Sequence, residues 1–506
     1  MAVNQLKAGA LLSYVSIALN MVIGLLYTPY MLRMLGQSEY GLYSLAASLI
    51  AYLTVLDLGF GNAIVRYTAK FRAEGKTNEQ EEMFGMFFLL YIGIGLIALI
   101  IGLILFLNVG NLFSAKMSAY EVSRMRIMLG LMTFNMAFTF PMSIWGSIMT
   151  AYERFVFQRI VSIIRSVMNP IVMVALLVIG YKAVVMVIVT TIFNVVTLFI
   201  NWWYCKHRLN IKVRFARFKW EFLREVSIYS FWIFLNVIMD RIYWSTGQFI
   251  LGMYRGTESV AVYSVAIQLK DMFYMFSTAI SGVFLPKVTA LVCKGVSDKE
   301  VSDLFIRTGR IQYILMSFVL TGFILLGRSF VNLWAGPDYN QSYIIALLFF
   351  IPTLVPLIQN LGITILMARN QLRFRSLLIL IISVASLFLA VPLAYRFGAI
   401  GCAIATSIAI IIGHGIILNI YYDKEIRLDI LLFWKEIIKM SFVPLIIIII
   451  GGIVLRFIAV NTFTSFVVAG LALTVIFVPS FYFISMNKSE RELFTKPIIQ
   501  LVKRIR

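Results

Sequence analysis

Several ionisable side chains lie inside long apolar runs, and the types of eight of them indicate what chemistry the chain could perform. Placing such a group in a membrane costs about 2.5 to 3.5 kcal/mol, so each is a candidate for function. The cations could hold an anionic ligand, and the carboxylates could gate a pathway or couple it to an ion. The eight residues are Asp57, Arg66, Arg165, Asp240, Arg241, Lys270, Asp271 and Arg310.

The stretch 53–71, LTVLDLGFGNAIVRYTAKF, contains the first two of these charges. Asp57 and Arg66 are nine residues apart, so on a straight helix they point in opposite directions, about 13 Å apart along the axis. Asp57 therefore needs water or a partner on another helix, and a structural hydrogen bond and a functional role are both open. Gly59 and Gly61 permit close packing or bending at this point.

Arg66 belongs to a polar face that Asn62 and Lys70 continue at a spacing of four residues. This face runs toward the predicted cytoplasmic end of the helix. Arg66 could bind a ligand there, or its long stem could simply carry the charge to the membrane surface.

Two adjacent pairs, Asp240-Arg241 and Lys270-Asp271, lie at similar predicted depth on neighbouring helices. Because residues at i and i+1 do not face each other on a helix, we expect compensation to run between the helices. A purely structural clamp is one interpretation. Buried ion pairs are poor stabilisers compared with apolar replacements, which favours gating or binding. Arg165 and Arg310 lie in the predicted cytoplasmic half of the membrane. Their charges would make a cavity that faces the cytoplasm more positive.

The chain is predicted to be an all-α polytopic membrane protein, since 61% of its 506 residues are hydrophobic and 13% are charged. The first apolar run is too long for a signal peptide and is predicted to be the first membrane helix. Apolar runs indicate about fourteen transmembrane helices. Their approximate ranges are 8–32, 40–66, 83–108, 123–150, 156–180, 182–205, 226–250, 259–286, 308–333, 343–368, 373–396, 398–422, 436–458 and 464–486.

Lysine and arginine are concentrated in the connections that follow even-numbered predicted helices. By the positive-inside rule, both termini are expected to be cytoplasmic. The net charge of +21 is thus explained by topology, and no nucleic-acid partner is expected. Three scattered cysteines and two distant histidines predict no metal site, and no cofactor is expected.

Short motifs recur at an offset of about 216 to 220 residues, for example GLYSLA at 41–46 and AVYSVA at 261–266. The repeat predicts two six-helix lobes, residues 1–215 and 222–430, related by a pseudo-twofold axis along the membrane normal. Residues 433–486 add two helices, and 487–506 form a basic cytoplasmic tail. Such an axis predicts a cavity between the lobes.

The linker 208–225 interleaves cations with aromatic residues. It could form an interfacial helix on anionic lipid, or it could be a solvated, positively charged tether that joins the lobes.

The span 25–71, LLYTPYMLRMLGQSEYGLYSLAASLIAYLTVLDLGFGNAIVRYTAKF, strongly resembles the N-terminal signature of one transporter family. This family comprises the bacterial polysaccharide-repeat-unit flippases of the multidrug/oligosaccharidyl-lipid/polysaccharide exporter superfamily. The resemblance implies transfer of an undecaprenyl-diphosphate-linked oligosaccharide to the outer leaflet of the inner membrane. It also implies that cations of both lobes engage the diphosphate head, and Arg66, Arg241 and Lys270 occupy comparable segments.

The same resemblance implies a lipid-linked oligosaccharide as partner, with polysaccharide polymerase and ligase machinery as further partners. An ion-coupled exporter of cationic small molecules is the alternative within the superfamily, although a cationic drug favours an acidic or aromatic cavity. A membrane-embedded glycosyltransferase or acyltransferase is a further alternative. Short loops and the lack of a D-x-D motif argue against an enzyme.

Two hypotheses concern movement and the lipid chain. Breaks at Pro29 and Pro286 would allow the lobes to rock in alternating access. The apolar segment 443–455 of the two added helices could flank a groove for the polyprenyl chain, or it could simply face lipid.

Overall fold

The structure is a computed structural model that describes residues 5–215, 219–293, 296–369, 371–493 and 495. Every element in these ranges is helical, and none of the described residues forms a strand. Eleven segments of the described chain are long and apolar enough to cross a bilayer by length and composition. The predicted all-α polytopic class is confirmed, and the count of about fourteen membrane helices stays a prediction.

The first seven helices occupy the region of the predicted N-lobe. The second predicted helix is divided into α2 and α3 by a 3-10 turn, Thr54–Asp57. The helices are α1 Gln5–Leu35, α2 Gln37–Leu53, α3 Phe60–Ala73, α4 Thr77–Phe113, α5 Ala119–Ala151, α6 Phe155–Val178 and α7 Ala183–His207.

Nine helices follow the linker. Residues Ile411–Ile417 and Phe481–Ser485 are π-helical turns that extend α13 and α16. The helices are α8 Trp220–Tyr254, α9 Thr257–Cys293, α10 Asp298–Trp334, α11 Asn340–Ile358, α12 Asn360–Ala368, α13 Leu372–Ile410, α14 Leu418–Lys424, α15 Ile430–Val454 and α16 Phe463–Ser480.

Local sequence explains several helix ends. Ser118 begins α5 with a capping box, because its side chain and that of Glu121 each accept a hydrogen bond from the other's backbone N–H. Gly398 has non-helical backbone angles inside α13 (φ 59°), close to the predicted boundary between the eleventh and twelfth helices. By contrast, Pro29 lies inside the continuous helix α1, so the expected break there is wrong.

Backbone contacts divide the chain into two compact units. Unit 1 comprises Met1–Ser264 and Ile379–Cys402, and unit 2 comprises Val265–Leu378 and Ala403–Arg506. These boundaries differ from those of the predicted lobes, because α8 packs against α2 and α3. The lobes inferred from the internal repeat therefore remain a prediction about symmetry, whereas the units describe packing.

The core of unit 2 is aromatic and joins α10, α14 and α15. Phe305, Tyr422 and Phe433 are each almost completely buried, and the rings of Phe305 and Phe433 are 5.0 Å apart. On α16, by contrast, Val468 and Leu471 are exposed, as expected of a helix that faces lipid.

The linker is not an interfacial helix over residues 209–215. This segment has no regular secondary structure and runs along the start of α4, where the Arg214 N–H donates to the Glu81 carbonyl at 3.1 Å. The Arg214 carbonyl lies so close to Gly85 that a side chain there would collide with it. The linker is therefore packed against unit 1 at this point.

Candidate functional site

The break between α2 and α3 is the centre of the candidate site. Leu58 and Gly59 both have left-handed backbone angles, with φ of 53° and 77°, so a continuous helix cannot pass through them. The expectation of one helix over 40–66 is wrong, whereas the bend that the glycines permitted is present. A broken helix leaves backbone groups available for other partners inside the membrane.

Asp57 is the last residue of the 3-10 turn, and its carboxylate accepts a hydrogen bond from a residue of another helix. Tyr91 Oη, on α4, donates to Asp57 Oδ1 at 2.8 Å, and the backbone N–H groups of Gly59 and Gly61 also interact with the carboxylate. The cross-helix hydrogen bond is therefore observed. It places a negative charge at the N-terminus of α3, where the helix dipole stabilises it.

Arg241 approaches the same break from α8. Its Nε donates to Thr54 Oγ1, the first residue of the 3-10 turn, at 3.2 Å. One turn farther along α8, Thr246 shares a hydrogen bond with Tyr52 at the end of α2. The adjacent Asp240 is exposed, so the two charges diverge as their helical spacing predicts. The half-buried guanidinium of Arg241 is thus fixed at a helix break.

Arg66 lies on the polar face of α3 that the sequence predicted. Asn62, Arg66 and Lys70 are exposed, whereas the intervening Ile64 and Tyr67 are buried. The Arg66 guanidinium lies 5.7 Å from the centre of the Tyr67 ring. The face is therefore accessible to a ligand or to lipid headgroups, and both interpretations of Arg66 remain open.

Lys270 and Asp271, in unit 2, correct one expectation. Lys270 Nζ lies 2.5 Å from Asp271 Oδ1, although the two residues are adjacent. The assumption that adjacent residues cannot meet is wrong here, because the flexible lysine side chain reaches around the helix. The Lys270 side chain is only 5% exposed, against 62% for Asp271. The ammonium also lies 5.1 Å from the centre of the Tyr274 ring.

Arg310 has a structural environment that the sequence did not indicate. Its guanidinium donates to both oxygens of Glu490, at 2.6 and 3.0 Å, and to Glu436 Oε2 at 2.6 Å. It also donates to the Ser485 carbonyl at 3.3 Å. Because these acceptors occupy all its nitrogens, this environment favours a structural role for Arg310 over the predicted substrate contact, which stays a prediction.

One partner of Arg310 lies in the segment predicted to be a basic cytoplasmic tail, residues 487–506. Glu490 is completely buried. Its carboxylate accepts a hydrogen bond from the Asn487 backbone N–H, and its own backbone N–H donates to the Asn487 side chain. Glu490 thus anchors the start of this segment to Arg310 of α10, and the cytoplasmic location of the tail stays a prediction. Residues 496–506 lie outside the described residues.

Arg165 takes part in a polar chain across three helices of unit 1. Its Nη1 donates to Asn194 Oδ1 on α7 at 3.1 Å, and Asn194 Nδ2 donates to Asn135 Oδ1 and Thr139 Oγ1 on α5, both at 2.8 Å. Neither asparagine is among the predicted site residues. Asparagine inside an apolar run is the signal that could have found them.

A hydrogen-bonded cluster joins α2, α5 and α9 at one end of unit 1. The positive-inside rule predicts that this end lies outside the cell. Glu121 Oε1 accepts hydrogen bonds from Ser38 Oγ and Thr257 Oγ1, both at 2.7 Å, and the two hydroxyls are 3.4 Å apart. The Thr257 carbonyl lies so close to Gly41 that no side chain fits there. We call Ser38, Glu121 and Thr257 the outer cluster.

Comparison with known families adds to this geometry. The profile of a family described as polysaccharide biosynthesis protein matches residues 6–292, more than half of the chain. The chain belongs to this family.

Two curated relatives of this family member cover most of its length. A protein designated an O-antigen transporter from Shigella flexneri is 20% identical over 394 residues, which are 76% of this chain and 90% of the relative. The protein designated flippase AglR from Haloferax volcanii is 23% identical over 405 residues, which are 77% of this chain and 78% of the relative.

Solved structures share the fold. The lipid II flippase MurJ in an inward closed conformation gives a TM-score of 0.72 at 18% identity, with 94% of this chain and 98% of MurJ covered. An inward-facing transporter of the multidrug resistance MATE family gives a TM-score of 0.58 at 14% identity, with 83% of this chain and 95% of the transporter covered. The profile match thereby confirms the polysaccharide-related family expected from residues 25–71, and the solved structures show that the fold is shared.

Proposed function

We propose that this protein is a flippase for undecaprenyl-diphosphate-linked oligosaccharide repeat units, which it moves from the inner to the outer leaflet of the bacterial cytoplasmic membrane. The product would serve surface polysaccharide biosynthesis. Family membership supports this proposal, as do the designations of the two curated relatives and the fold shared with a lipid II flippase. The relatives are named as transporters and flippases, so we infer no catalytic step.

Arg241 is the observation that carries the proposal. It is a half-buried cation that α8 presents at the break of an apolar helix, and its Nε is held by a neutral hydroxyl, Thr54 Oγ1. A planar guanidinium fixed in this way can donate further hydrogen bonds to a diphosphate. Arg66, on the exposed face of α3, supplies a second cation of unit 1. We propose that these two arginines bind the diphosphate head.

The other predicted site residues have different proposed roles. Lys270, buried in unit 2, remains a proposed substrate contact, and the exposed Asp240 and Asp271 remain proposed gating or ion-coupling groups. Arg165 donates a hydrogen bond to Asn194, and this contact supports a structural role over a substrate-binding role. Asp57 fixes the geometry of the break, so any gating role would act through the position of α3.

A cation exporter of the same superfamily is disfavoured by charge. The Asp57 carboxylate at the break already accepts hydrogen bonds from Tyr91 and from backbone N–H groups, whereas Arg241 and Arg66 contribute positive charge that would repel a cationic drug. The chain would also resemble such exporters in fold alone, because its identity to the MATE transporter is 14%. Raised drug tolerance on overexpression, without any effect on surface polysaccharide, would support the exporter instead.

The proposal is tested by deleting the gene and analysing the lipid extract by mass spectrometry. We expect loss of the surface polysaccharide and accumulation of its undecaprenyl-diphosphate-linked repeat unit, both reversed when the wild-type gene is restored. The mass of the accumulated lipid identifies the sugar. A normal level of lipid-linked repeat unit, together with unchanged surface polysaccharide, would contradict the proposal.

A further inference from the structure

A cavity of about 530 Å³ lies beneath the linker, at the predicted cytoplasmic end of unit 1. None of its lining residues belongs to the outer cluster or to the break between α2 and α3. Its walls come from α4, α5, α7 and the linker itself. The lining residues on which the inference depends are Phe88, Trp145, Trp202, Lys206, Lys212 and Phe215.

The linker forms this cavity because it is fixed at two points. The Ile211 N–H donates to the Cys205 carbonyl at the end of α7, and the Arg214 N–H donates to the Glu81 carbonyl at the start of α4. The Phe215 ring packs 6.3 Å from that of Phe88. A wall held in this way is present before any ligand arrives, as in most small-molecule sites.

The cavity combines aromatic walls with positive charge. Lys206 Nζ lies 5.3 Å from the centre of the Trp202 ring, and Lys212 is exposed at the opposite edge. Neither lysine forms an ion pair with a carboxylate in the part of the chain that the structure describes. Their charges are therefore available for an external anion.

Trp145 adds to the aromatic wall of the cavity. Its side chain lines the cavity and is only 6% exposed, and its buried Nε1 has no hydrogen-bond partner among the described residues. Leaving a buried donor unsatisfied costs about 1 to 3 kcal/mol.

We infer that this cavity binds the phosphate-containing headgroup of an anionic phospholipid of the cytoplasmic leaflet. The lysines would face the phosphate, and the aromatic walls, including Trp145, would contact the glycerol and the upper acyl chains. The predicted depth matches the membrane interface, where tryptophan and lysine are favoured. The volume fits a headgroup with its glycerol, which favours a phospholipid over a multi-sugar substrate.

The inference is tested with the full-length purified protein in detergent, by native mass spectrometry with added phosphatidylglycerol. Because each lysine near a lipid surface contributes to anion affinity, the double variant Lys206→Gln with Lys212→Gln should weaken binding about 30-fold. The matched control is Lys116→Gln with Lys182→Gln, two exposed lysines at the opposite end of unit 1.

The outcomes separate the possible ligands. Loss of phosphatidylglycerol binding in the cavity variant but not in the control supports the site. Equal binding by both variants would overturn it, as would equal affinity for phosphatidylcholine, which carries no net charge. Competition by inorganic phosphate alone would indicate a soluble-anion site, and preferential binding of the lipid-linked oligosaccharide would indicate a substrate site. Either of these results would also overturn the inference.

Discussion

Arg310 and Arg241 are both arginines in apolar helices, yet their neighbours give them opposite roles. Arg310 meets two carboxylates, one of which is completely buried. Arg241 meets a hydroxyl at a helix break. A cation whose donors are already bonded to carboxylates stabilises the fold, whereas one held by a neutral group can still bind an anion.

Arg310→Ala is therefore expected to reduce the amount of folded protein. Removing the guanidinium leaves Glu490 buried without its countercharge, at a cost of about 3 to 5 kcal/mol. The measurement is the protein level in membranes and the thermal unfolding temperature after purification. Arg307→Ala, an exposed position on the same helix, is the control and should match the wild type. A normal unfolding temperature for Arg310→Ala would show that the buried pair is not structural.

At the scale of elements, the break between α2 and α3 depends on one glycine more than on its neighbours. Gly59 has a φ of 77°, which a residue with a Cβ atom adopts at a cost of about 1 to 2 kcal/mol. Leu58, also left-handed, already carries such a cost. The break positions Thr54 for Arg241 and Asp57 for Tyr91.

Gly59→Ala should lower the thermal unfolding temperature and reduce export, because both hydrogen bonds depend on the geometry of the break. The control is Gly93→Ala, since Gly93 lies in the middle of α4 with no atom near enough to collide with a methyl group. Both quantities are measured on proteins expressed at the same level. If the two alanine variants behaved alike, the left-handed turn would not be the feature that the site requires.

At the scale of the whole molecule, alternating access requires the outer cluster to open. Ser38→Cys with Thr257→Cys places two thiols where the hydroxyls are 3.4 Å apart, and these residues belong to different predicted lobes. Oxidation should form a disulfide and stop export, and reduction should restore it. Each single cysteine variant is the control. Full export with the crosslink complete would eliminate a rocking mechanism that opens at this end.

The sequence predicts the features that depend on local composition and fails for those that depend on distant partners. Long apolar runs predicted a helical membrane protein, glycines marked the bend near Asp57, and four-residue spacing predicted the exposed face of Arg66. No periodicity could reveal that Arg310 meets Glu490, because 180 residues separate them. Nor could an ideal helix predict the contact of Lys270 with Asp271, which depends on a flexible side chain.

The central claim is that the protein moves a lipid-linked diphosphate oligosaccharide across a membrane with the help of Arg66 and Arg241. The direct measurement reconstitutes purified protein into liposomes with a labelled undecaprenyl-diphosphate oligosaccharide and follows the appearance of label in the opposite leaflet. Wild-type protein and a Lys182→Ala control should move the label. Arg66→Ala and Arg241→Ala should each slow it about 10- to 100-fold, as expected for the loss of a charged hydrogen bond. Two results would contradict the account. One is transfer by the wild-type protein that is no faster than in protein-free liposomes, and the other is transfer at the wild-type rate by both arginine variants.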